Sequence, residues 1–163
     1  MRNTAGHQSQ RGRSIAHVAL VTGGTRGIGR AIALRLAKDG AAVAISGISE
    51  GGPAEEVIKE IEKTGAPVMA VRADVGDRKQ VVDMLAEVSR ELGGVDILVN
   101  NAGIFDDDYS SGWTLEENMW EKLYRVNLKG VYLCCAAALP QMIESGWGRI
   151  INISSTSGIS GGT

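Results

Sequence analysis

From residue 17 onward, short apolar runs alternate with stretches of helical spacing. The run 17–22, His-Val-Ala-Leu-Val-Thr, reads as a short buried strand. A glycine-rich turn follows, then apolar positions 28, 32 and 36 with alanines between them, which predicts a helix over 28–38 closed by Gly40. Residues 42–46 read as a second strand. Residues 54–63 read as an amphipathic helix with Val57, Ile58 and Ile61 inward, ending near Gly65. A third strand is predicted at 67–72, and a helix at 77–92 with Val81, Leu85 and Val88 inward. A fourth strand follows at 95–99, a long helix at about 116–145, and a fifth strand at 149–153. The strands are continuously apolar rather than alternating, so both faces should be covered. Five strands separated by helices predict the α/β class, a doubly wound parallel sheet of Rossmann type built from right-handed βαβ units.

Composition changes this picture at a few points. Residues 1–15 contain Arg2, Arg11 and Arg13 and no acid, and read as a flexible tail ahead of a single domain over 16–163. No apolar run approaches the ~18 residues of a membrane span. A formal charge of −2 gives no broad nucleic-acid footprint. The two cysteines, Cys134 and Cys135, are adjacent, which excludes a disulfide framework and a cysteine-rich metal site. This usage suits a reducing, cytoplasmic setting. With only His7 and His17, a Ser-His-Asp triad has little material.

The 22 glycines exceed a usual share of about 7% and call for tight turns or close backbone approach. Thr22-Gly-Gly-Thr-Arg-Gly-Ile-Gly29 joins the first strand to the first helix, with Gly23, Gly27 and Gly29 in G-x-x-x-G-x-G spacing. Such a turn brings backbone and helix N–H groups to one point, where a pyrophosphate can sit. A Walker A loop would need Gly-Lys-Ser/Thr, which is absent. The competing reading is a structural turn.

The loop resembles the T-G-x-x-x-G-x-G signature of the short-chain dehydrogenase/reductase family, and the resemblance covers essentially all of residues 16–163. Asp74-Val75, Asn100-Asn-Ala-Gly103, Asn127 within Val126-Asn-Leu-Lys-Gly130, and Ile151-Asn-Ile-Ser-Ser-Thr-Ser-Gly158 match in order. Within the family the chain is similar to 3-oxoacyl-acyl-carrier-protein reductases. The resemblance implies cofactor binding by Gly23, Thr25, Arg26, Gly27, Ile28, Gly29, Asp74, Val75, Asn101, Ala102 and Gly103. Asp74 would accept from the adenine amine, Asn127 would hold a relay water, and Ser155 would polarise a substrate carbonyl. Each has a local alternative: a turn acid for Asp74, an Asx turn for Asn101, a helix-kinking amide for Asn127, a turn hydroxyl for Ser155. Asn127 falls mid-helix among Leu123, Val131 and Cys134, where an unbonded buried amide would be costly.

An acid about 20 residues past the glycine loop would bind the ribose hydroxyl of NAD. Gly47 stands there, followed by Ile48. Arg26 could attract a 2′-phosphate, and Ser46 or Ser49 could bond it. NADP(H) is therefore favoured, with NAD(H) possible. The family's Tyr-x-x-x-Lys would begin near position 168. No such motif occurs in the 163 residues, and Tyr109, Tyr124 and Tyr132 lie in the wrong elements. The expectation is a chain holding the first five of seven strands, inactive alone. The whole protein would be a homodimer or homotetramer acting on a small-molecule carbonyl or acyl thioester. Residues 112–119, including Trp113, would line the pocket edge or form a plain surface loop. A non-catalytic nucleotide-binding or regulatory module is the alternative, because fold alone does not fix function.

Overall fold

A computed structural model of the chain describes residues 17–49, 51–105 and 115–160. The expected tail, Tyr109 and Trp113 lie outside the described residues. Five strands, β1 Val18–Thr22, β2 Ala42–Gly47, β3 Val68–Arg72, β4 Ile97–Asn100 and β5 Arg149–Asn152, form one sheet. Every pairing is parallel and the order is β3-β2-β1-β4-β5. The order reverses at β1, so the crevice between β1 and β4 is the switch point where open α/β sheets take their ligands.

Helices α1 Gly27–Lys38 and α2 Pro53–Glu62 cover one face, closing a core of Val21, Val43, Ile45, Val57, Ile61 and Val99. α1 meets the sheet through Ala33 and Ala37, side chains small enough for close approach. On the other face lie α3 Arg78–Glu91 and the long helix, over Leu20, Ala44, Val81, Met84, Val88, Leu98, Leu133 and Cys134. Asp77 caps α3 by accepting the Gln80 N–H at 3.0 Å, and that backbone bond holds its carboxyl below the usual range. Gly40 takes the left-handed conformation past α1 (φ 95°), as expected of the residue that ends a helix.

The long helix is not a plain α-helix. It runs as α4 Glu117–Leu123, a π-helical turn Tyr124–Lys129 and α5 Gly130–Glu144. A short α6, Ser157–Ser160, follows β5. Glu117–Glu144 is also the one described helix long and apolar enough to cross a membrane by length and composition, which counting uninterrupted apolar runs does not reveal. Its stripe of Leu133, Cys134, Ala138 and Met142 packs on the sheet instead. Leu133 is buried, whereas Val131 is only half-buried. Burial pushes the Cys134 thiol up to about 12, so it packs as a neutral apolar group. Away from the sheet, Trp120, Tyr124, Leu128 and Tyr132 are 47–63% exposed.

The expectation that both faces of every strand are covered holds for β1 and β2, whose apolar positions are buried. It fails at β5, where Ile151 is 46% exposed. Among the described residues β5 pairs with β4 alone, so its second edge is open.

Candidate nucleotide-binding site

The glycine loop, Asp74, Asn101 and Ser155 follow β1, β3, β4 and β5 respectively, so all stand at the carboxyl edge of the sheet. The loop is stitched to the turn after β4. Thr22 Oγ1 donates to the Val99 carbonyl at 3.3 Å and accepts the N–H groups of Asn101 and Ala102, each at 3.0 Å. Asn101 Nδ2 returns bonds to the carbonyls of Thr22 (2.9 Å) and Gly23 (3.1 Å). These contacts join the two sides of the switch point and fix the crevice floor. Sequence reasoning missed Thr22 as a strut; its place as the last, buried residue of β1 was the available signal.

Gly23 and Gly27 hold φ of 63° and 54°, which a side chain would strain. Gly29 is needed for space: an added Cβ would lie 2.3 Å from the Gly23 carbonyl oxygen and 2.4 Å from Asn101 Nδ2. No side chain caps α1, and no acid occupies its first turn. Its first N–H groups and the positive end of its dipole therefore serve the loop's outer side. Thr25 leans on Gly47, where a Cβ would come within 3.1 Å of Thr25 Cγ2. Arg26, Gly27 and Ile28 are exposed around this turn. A glycine cradle, an uncapped helix start and a rigid floor fit a dinucleotide pyrophosphate.

Asp74 is held on both carboxylate oxygens. Oδ1 accepts the Gly76 N–H at 2.8 Å, and Oδ2 accepts from Arg125 Nη1 at 2.7 Å. Val75 beside it is buried against Gly130, and Ala102 is half-buried against the core below α5. Gly103 approaches Asn127, with a Cβ placed 3.5 Å from Asn127 Oδ1.

Two sequence expectations need correction. Asn127 is exposed rather than buried, and its amide is satisfied: Oδ1 accepts the Ile104 N–H at 2.9 Å while Nδ2 donates to the Ile104 carbonyl at 2.8 Å. The π-helical turn carries it out of the core and clasps it to the segment after β4. Ser46, expected to reach a phosphate, is 1% exposed with its hydroxyl buried and unbonded; in-out alternation along β2 points it at the α3/α5 face with Ala42 and Ala44. Ser49 and Ile48 are exposed just beyond it.

Ser155 is exposed in the turn after β5, and its carbonyl accepts the Gly158 N–H at 3.1 Å. The preceding strand is fastened through Asn100, whose Nδ2 donates to Asn152 Oδ1 at 2.9 Å and contacts Cys135 Sγ at 3.3 Å. Sequence reasoning gave Asn100 no role of its own. Among the described residues no cluster of three metal-ligating side chains occurs.

Comparison with known proteins agrees with this architecture. The profile of the short chain dehydrogenase family matches residues 17–163. The 3-oxoacyl-[acyl-carrier-protein] reductase FabG of Staphylococcus aureus strain Mu50 is 43% identical over 143 residues, which is 88% of this chain and 57% of that protein. A short-chain type dehydrogenase/reductase of Picea abies is 39% identical over 85% of this chain and 54% of its own. A crystal structure described as a short-chain alcohol dehydrogenase from Sinorhizobium meliloti 1021 superposes with a TM-score of 0.81 at 37% identity, over 86% of this chain and 55% of that one. The chain thus spans little more than half the length of the curated relatives it matches. With its profile, its relatives and its parallel sheet in agreement, the chain belongs to the short-chain dehydrogenase family.

Proposed function

We propose that this chain is the nucleotide-binding part of an NADPH-dependent oxidoreductase that interconverts a carbonyl and a secondary alcohol, with a 3-oxoacyl thioester as the substrate class. The observation that carries the reading is the glycine loop locked to Asn101 through Thr22, ahead of an uncapped helix. The 3-oxoacyl reductase named among the relatives supports the substrate class. The bound nicotinamide supplies the hydride.

The chain's own residues do the rest. Gly23, Thr25, Arg26, Gly27, Ile28 and Gly29 would bind the nucleotide's phosphates. Asp74, Val75, Asn101, Ala102 and Gly103 would receive its adenosine and orient it. Ser155 would donate to the substrate carbonyl oxygen and favour charge developing there. Asn127, held by the backbone of Ile104, would position the proton relay. The 163 residues contain no Tyr-x-x-x-Lys, so by themselves they would bind nucleotide but not turn over a carbonyl. A cytoplasmic enzyme without nucleic-acid or membrane partners completes the proposal.

Nucleotide choice is read at Gly47 and Arg26. No carboxylate stands at 47 to repel a 2′-phosphate, and Arg26 is exposed beside the loop. In the whole protein kcat/KM should be higher with NADPH than with NADH. Arg26→Ala should weaken NADPH by roughly 1–2 kcal/mol more than NADH, the worth of a charge-assisted bond. Equal losses for the two nucleotides would sink the assignment.

The exposed aromatic stripe bears on assembly. Trp120 and Tyr124 stack with ring centroids 5.7 Å apart, and Leu128 and Tyr132 continue the row at four-residue spacing. A contiguous apolar face of this kind favours association, with a second copy of the protein as occupant. The chain should elute from size-exclusion chromatography as a dimer or larger species. Leu128→Glu with Tyr132→Glu should shift it toward monomer; an unshifted profile would place the contact elsewhere.

A further inference from the structure

The loop that carries Asp74 is gripped by the π-helical turn. Arg125 Nη1 meets Asp74 Oδ2 at 2.7 Å, and Lys129 Nζ donates to the Gly76 carbonyl at 3.3 Å. Gln80 Oε1 accepts the Asp74 N–H at 3.0 Å from the other side. The Arg125 stem lies across Gly76, where an added Cβ would come within 2.7 Å of Arg125 Cγ. Five residues on, at the start of α5, Gly130 lies against Val75, with a Cβ placed 2.8 Å from Val75 Cγ2. Two glycines therefore let the turn sit directly on the loop.

As a stabilising ion pair this contact is modest, because the two side chains are 42% and 26% exposed. Its effect on the carboxylate is larger. With Oδ1 on Gly76 and Oδ2 on Arg125, the carboxylate has one orientation, and each oxygen keeps one lone-pair site. The guanidinium also offsets a negative charge that would otherwise face an anionic dinucleotide. A planar guanidinium fixes such geometry better than an ammonium.

We propose that Arg125 is a positioning residue for adenine recognition: it orients the Asp74 carboxylate toward an exocyclic amine and offsets its charge. The proposal rests on the reading of Asp74 as the acceptor of that amine. The same turn carries Asn127, clasped to Ile104, so one irregular turn steadies the adenine side and the relay side together.

The test measures dissociation constants on the full chain for NADPH and for its hypoxanthine analogue, which has a carbonyl oxygen in place of the amine. Wild type should prefer NADPH by about tenfold, the scale of a charge-assisted bond. Asp74→Ala should abolish the preference. Arg125→Gln should lower it to roughly two- to threefold, because an undirected carboxylate bonds less well. Arg125→Lys should fall between. Reduced nicotinamide mononucleotide, which has no adenine, should bind all variants alike. A preference that survives Asp74→Ala overturns the Asp74 reading and the proposal with it. A preference abolished by Asp74→Ala yet intact in Arg125→Gln overturns the role of Arg125 alone. If Arg125→Gln melts below the assay temperature, Arg125→Lys decides: a lowered preference supports the role and an intact one overturns it.

Discussion

Gly29→Ala should abolish nucleotide binding and destabilise the chain by about 2–4 kcal/mol, the sum of overpacking and lost hydrogen bonds. The added Cβ would lie 2.3 Å from the Gly23 carbonyl oxygen and 2.4 Å from Asn101 Nδ2. Neither neighbour is the free end of a flexible side chain. The Gly23 carbonyl belongs to a turn at φ 63°, and Asn101 Nδ2 is bonded to both Thr22 and Gly23. Relieving the clash therefore parts β1 from the turn after β4, at the switch point itself. Gly27→Ala is the control. No atom lies within 4 Å of a Cβ there, so its cost is the backbone strain of φ 54°, about 1–2 kcal/mol. Urea denaturation with NADPH titration separates the two. Equal stability losses at both glycines would show that the loop is not jammed against Asn101.

Much of this was legible in the sequence, for identifiable reasons. β1 and β2 are buried on both faces, so continuous runs such as Val-Ala-Leu-Val announce them. α2 alternates exposed Glu55 and Glu56 with buried Val57 and Ile61, a pattern that period alone reveals. β4 was placed two residues early at its start, because Val95 is buried ahead of the first ladder pair and reads as strand. The family motifs marked the loop, Asp74, Asn101 and Ser155, and the fold sets these at one sheet edge.

The π-helical turn was not legible. Tyr-Arg-Val-Asn-Leu-Lys has ordinary helical composition, and the turn it forms is docked on the loop after β3 and the segment after β4. A one-dimensional reading could not know that Arg125 and Asn127 find partners in the loop after β3 and the segment after β4. It therefore set Asn127, the expected relay residue, among apolar neighbours and gave Arg125 no role. Ser46 failed for a related reason: residues at a strand's carboxyl end look available to ligands, but the face is set by alternation, and here it points inward.

In the whole protein, Ser155→Ala should lower kcat by about 10²-fold or more while leaving NADPH affinity nearly unchanged. Ser155 stands three residues past the end of β5, exposed at the edge shared with the glycine loop and Asn101. β5 is aligned there by four ladder pairs with β4, by the Ile153 N–H on the Asn100 carbonyl at 2.9 Å, and by Asn100 on Asn152 at 2.9 Å. A hydroxyl on a turn anchored this way would need no flexible arm to meet a substrate oxygen, the condition for a preorganised donor. Its contribution would be confined to the moment when charge builds on the substrate oxygen, hence an effect on kcat rather than on nucleotide binding. Ser154 is the internal comparison, adjacent in sequence and lying 3.8 Å from where a Gly158 Cβ would sit. Ser154→Ala should be the milder change in steady-state assays with a 3-oxoacyl thioester. If Ser154→Ala proves more damaging than Ser155→Ala, the donor is the other serine. If both changes leave kcat intact, carbonyl polarisation belongs to neither, and the turn after β5 serves only to close the sheet edge.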